Sequence, residues 1–142
     1  PQPPPQPPRS PLAGTDDQQP APSPVRALGL GSVAAAIVAI VLAVLGGPAS
    51  FSAGLVIVAV FMGRLVGAMV RVGAGTTLNS PARVTLAVLI SLVGIAAGQL
   101  GIWLFARSEG GVLDVGTYLG SFGPLVPLEF MIATLSAWWS AR

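Results

Sequence analysis

Glu129, Gln99 and Arg64 lie well inside long apolar stretches of this sequence, where polar side chains need a reason to be. A carboxylate in lipid can exchange a proton or hold a cation, with an amide oxygen as second ligand. A guanidinium can serve as its counter-ion, although Arg64 lies several ångströms from that depth and simple up-down topology sets the second and fourth helices on a diagonal. Glu129 is seven residues in from Phe122, ~10 Å at helical rise, and Gln99 is seven residues from Ala106 at a similar depth. Arg64 is eight residues from Val72, ~12 Å from the opposite boundary. Glu129 shares a helical face with Ala133 and Ala137, which turns it toward a packed surface and away from lipid.

Three arrangements follow. Arg64 and Glu129 pair across the helices with Gln99 bridging, or Arg64 snorkels toward Arg71 and the headgroups while Glu129 is protonated or hydrogen-bonded by itself, or either residue meets another subunit. A lone carboxylate without a neighbouring acid or imidazole makes a poor proton relay, so a register-fixing role is the stronger expectation. Other chemistry is excluded more firmly. The chain has no Cys and no His, which removes thiolate and imidazole metal sites and any Ser/His or Cys/His nucleophile. Ser91, Ser136 and Tyr118 have no base, and the Gly73–Thr77 run joins two apolar stretches instead of following a strand. No catalytic residue, metal site or cofactor is expected.

These residues must be positioned by helices in a bilayer. Charged residues are 8% of the chain against 53% hydrophobic, whereas a soluble domain carries about 25% charged residues. The expected fold is an all-α membrane protein, four transmembrane helices in an antiparallel bundle, with spans at about 28–45, 51–72, 84–106 and 122–141. Gly46-Gly47-Pro48 breaks the first from the second, and Pro81 opens the third. Asp114 either caps a short surface helix ahead of the fourth or lies in an irregular loop. Residues 1–27 hold ten of the fourteen prolines and read as a disordered or polyproline II tail, preceding the 28–142 membrane domain. A cleaved signal peptide fits poorly, because the apolar run exceeds the usual ~7–15 residues.

Packing surfaces are legible as well, since helices in lipid associate through small residues. Ser32, Ala36, Ala39 and Ala43 line one face of the first span, and Gly63 and Gly67 form a GxxxG pair on the second. Gly94 and Gly98 continue a stripe from Ser91 to Gly101 on the third, and Ala133, Ala137 and Ser140 lie on the fourth. They are expected to pack within the bundle, with docking of another subunit as the alternative.

Arg9, Arg26, Arg71, Arg83 and Arg142 fall on one side of such a protein, and Arg107 alone on the other. The positive-inside rule then makes both termini cytoplasmic. All seven basic residues are Arg and none is Lys, a bias that suggests a GC-rich bacterial source and hence the inner membrane. The arginines form no basic stripe, so nucleic acid is not an expected partner. The layout, with Leu78-Asn79-Ser80 and Arg83 in the second loop, resembles that of small bacterial accessory membrane proteins, including assembly factors associated with ATP synthases. That resemblance brings no functional site with it. The expected function is a non-catalytic accessory, scaffold or assembly subunit of a larger membrane complex, touching lipid and, through its Pro-rich tail and small-residue faces, other subunits. The alternative is a small oligomeric transporter or channel using Arg64, Gln99 and Glu129.

Overall fold

The computed structural model describes residues 21–46, 52–110 and 114–142, and among them the secondary structure is entirely helical. The helices are α1 (Pro24–Gly46), α2 (Ser52–Ala74), α3 (Ser80–Ser108), α4 (Val115–Ser121) and α5 (Leu125–Ala141). Helix α1, the Gly54–Ala74 part of α2, and α3 are each long and apolar enough to cross a membrane. Helices α4 and α5 pass the same test only together, bent by 86° at the break between them. The chain is therefore a multi-pass membrane protein by the length and composition of its helices. Residues 1–20, which hold most of the expected tail, lie outside the described residues, as does the Gly47-Pro48 part of the first helix break.

Local chemistry sets where the helices start. The Ser23 hydroxyl accepts from the Arg26 amide at 3.1 Å, so α1 begins at Pro24, several residues before its apolar run. Asn79 caps α3 by accepting from the Ala82 amide at 3.0 Å, with Pro81 in the first turn, where a missing N–H costs nothing. Asp114 caps α4, accepting from Gly116 and Thr117 amides and the Thr117 hydroxyl. Those bonds, the Thr117 hydroxyl first, hold its carboxyl below the ordinary carboxylate value. Of the two readings of this segment, the short helix is the one observed.

The expected fourth span needs correction. It does not run unbroken from Phe122, because Gly123 takes a positive φ of 59° and Pro124 follows it. Left-handed backbone followed by a residue that cannot donate ends α4, and α5 restarts at Leu125 in a new direction.

Helix α1 packs on α2 and α3, α5 packs on α2 and α3, and α2 touches α3 across the middle. This also departs from the expected layout, in which the second and last long helices stand diagonally. Small residues explain it. A Cβ on Gly63 would run into the Ala133 carbonyl and stand 2.8 Å from the Ala137 nitrogen. One on Gly67 would stand 2.8 Å from the Ala137 oxygen and 2.7 Å from the Ser140 Cβ. The GxxxG pair thus lets α2 and α5 approach backbone to backbone, and the same contacts show the two helices running in the same direction. Gly94 meets Ala35 and Met62, and Gly98 meets Leu42, so the α3 stripe serves α1 and α2. The start of α1 is tied to the end of α2: the Ser23 amide donates to the Gly73 carbonyl at 3.0 Å, and Gly73 abuts the Ala27 backbone.

The small face of α1 is only partly internal. Ala39 is buried, but Ser32 and Ala36 are exposed. They line an apolar groove of about 480 Å³ between α1 and α3, with Leu86, Leu89, Val93 and Ala97 on the opposite wall.

Candidate functional site: a buried amide–carboxylate pair

The buried residues of α3 include Ile90, Ser91, Gly94, Ile95, Gly98, Gln99 and Ile102, a stripe with helical spacing. Those of α5 are Glu129, Ala133, Ala137 and Ala141, four residues apart throughout. The 3.6-residue repeat keeps each set on one side, and the two sides meet where α3 packs on α5. There the Gln99 Nε2 donates to the Glu129 Oε2. Glu129 is 1% exposed and Gln99 3%, so the pair is sealed from the molecule's surroundings.

The alanines below Glu129 allow this. Large side chains at Ala133 and Ala137 would hold α5 away from its neighbours, and Gly98 beside Gln99 lets α3 close on Leu42. The neighbours' approach thus fixes the amide and the carboxyl in reach of each other. Chemically, the pair matches an amide donor to a carboxyl acceptor inside a nonpolar interior, where an unmade bond would be expensive. Among the described residues no group of three or more His, Cys, Asp or Glu stands ready to hold a metal ion.

Arg64 is placed elsewhere. It is exposed and lines a hollow at the outer side of α2 and α5 with Arg71, Trp139 and Ser140. The structure therefore joins Gln99 to Glu129 and leaves Arg64 apart from them. Ser91 is fully buried, and its hydroxyl has no partner among the described residues. Arg83 donates from Nη1 to the Gly75 carbonyl at 3.3 Å, tying α3 to the end of α2.

Sequence reasoning missed the company Arg64 keeps on α5. The signal within α2 was available: at ~100° per residue, positions seven apart fall within ~20° of each other, which puts Arg64 and Arg71 on one face. That Trp139 and Ser140 would face them needed the α2–α5 contact, which the sequence does not disclose. Comparison with protein-family models, with curated proteins and with solved structures gives no match.

Proposed function

We propose that this chain is a non-catalytic accessory or assembly subunit of a larger complex in a bacterial inner membrane. In this reading it forms a four-span antiparallel bundle, counting α4 and α5 as one bent span, with both termini cytoplasmic. The observation that carries the proposal is the sealed Gln99–Glu129 pair. The carboxylate best suited to moving a proton or cation is bonded to a neighbouring helix and enclosed on all sides. It is used as a structural joint. The groove between α1 and α3 adds support, because its small residues would admit an apolar helix of another subunit at close range.

Solubilising the full chain from its own membrane in mild detergent, followed by mass spectrometry of what copurifies, tests the reading. Unrelated membrane subunits in fixed ratio are the expected result. A pure homo-oligomer that conducts ions or protons in liposomes, and loses that flux in Glu129→Gln, would establish the transporter reading instead.

A further inference from the structure

Most of the arginines in the described residues already have company. Arg142 stacks on Trp138 at 3.3 Å from the ring centroid, and Arg107 lies 5.2 Å over Trp103. Arg83 reaches the Gly75 carbonyl, and Arg26 is engaged as well. Arg64 and Arg71 are different: among the described residues neither has a partner, and both are exposed. They stand two turns apart on α2, separated by ~10 Å along its axis, and line a single hollow of about 490 Å³.

The rest of the hollow points to what would fill it. Ala68 lies between the two arginines, one turn from each, and its small side chain leaves the floor open. Ser140 offers a hydroxyl from α5. Phe61 and Trp139 flank the site at 65% and 68% exposure, large apolar surfaces suited to acyl chains. Trp139 and Arg71 lie within three residues of the ends of their helices, the level at which Trp and Arg meet headgroups. Arg64 lies deeper. A ligand matching this arrangement carries a negative charge at its polar end and hydrocarbon below it.

We propose that Arg64 and Arg71 form a headgroup site for an anionic phospholipid, with the phosphate held over Ala68 and the acyl chains lying along Phe61 and Leu65. Planar guanidinium groups bind phosphate oxygens two at a time, and the exposed Phe61 and Trp139 beside them favour a phosphate that carries acyl chains. The bound phosphate neutralises Arg64 at a depth where a bare guanidinium is costly. The site rests on the reading that α2 and α5 cross the bilayer, and it does not depend on any partner subunit.

Delipidated full-length protein, titrated with phosphatidylglycerol, phosphatidylcholine or inorganic phosphate and followed by native mass spectrometry, tests the site. Phosphatidylglycerol should bind in preference to phosphatidylcholine. Arg64→Gln and Arg71→Gln should each weaken it by about tenfold or more, the loss expected for a charge-assisted hydrogen bond. Ala68→Leu keeps both charges and fills the floor, so it should weaken binding as well, while circular dichroism and thermal unfolding confirm that each variant is folded. Equal binding of the two lipids, or phosphatidylglycerol binding that survives Arg64→Gln and Ala68→Leu, overturns the proposal. Inorganic phosphate binding as tightly as the lipid makes this a free-phosphate site and also overturns it. So does loss of a copurifying protein, with lipid retention unchanged, in Arg64→Gln preparations. Absence of copurifying subunits bears only on the accessory role and leaves the lipid measurement standing.

Discussion

Removing one member of the Gln99–Glu129 pair strands the other, and the size of the effect separates a structural joint from a working carboxylate. Interhelical hydrogen bonds in membrane proteins average about 0.6 kcal/mol, whereas a stranded buried polar group costs about 1–3 kcal/mol. Gln99→Leu should therefore destabilise the protein by about 1–3 kcal/mol in thermal unfolding in detergent. Glu129→Gln keeps an acceptor for Gln99 and should cost less than about 1 kcal/mol. The reverse order would mean that the carboxyl itself is needed. The inward phase of Glu129 was legible in the sequence because Ala133 and Ala137 repeat at helical spacing beneath it. Its bond to Gln99 was foreshadowed by equal depth and by the bridging and second-ligand arrangements, but depth alone says nothing about which helices are neighbours. The side taken by Arg64 was harder still, although Gly63 gave a clue: a residue next to an inward glycine is turned ~100° away from it.

Among the helices, α2 and α5 meet with little freedom to adjust. The atoms facing Gly67 include the Ala137 carbonyl at 2.8 Å from where a Cβ would stand, and backbone yields less readily than a side chain. Gly67→Val should lower stability by about 3 kcal/mol or more, at or beyond the top of the usual range for overpacking. Gly29 on α1 is the control, with nothing within 4 Å of a Cβ. Gly29→Ala should stabilise by about 0.5–1 kcal/mol through helix propensity alone. Thermal unfolding of the two variants side by side checks both. Capping explains why some boundaries could be read in advance. Pro81 and Asp114 act on their own helix starts and need no partner, as does Asn79, whose cap only the structure revealed. The bend at Gly123-Pro124 was passed over because apolar residues continue on both sides of it, and composition hid the backbone signal.

For the whole molecule, the arginine asymmetry makes a prediction about sidedness. The chain contains no Cys, so a single introduced thiol reports its position without interference. Thr76→Cys, in the α2–α3 loop, should react with a membrane-impermeant maleimide only from the cytoplasmic side. Glu109→Cys, after α3, should react only from the opposite side. The same pattern from both sides, or the inverse pattern, would refute the orientation. Three long apolar helices were legible at this scale because apolar length is a property of each segment, whereas the fourth stretch divides into α4 and α5. Helix order was not legible, since it depends on which small faces meet, and several were available. The observed order has a consequence for how the protein is made. Gly67 is 73 residues ahead of Ser140 in the chain. A ribosome working at ~5–20 residues per second therefore completes α5 several seconds after α2 has emerged. During that interval α2 has α1 to pack on, while its glycine seam waits uncovered for a helix not yet synthesised. The tightest backbone contact of α2 described in this protein thus has to wait for a helix made much later.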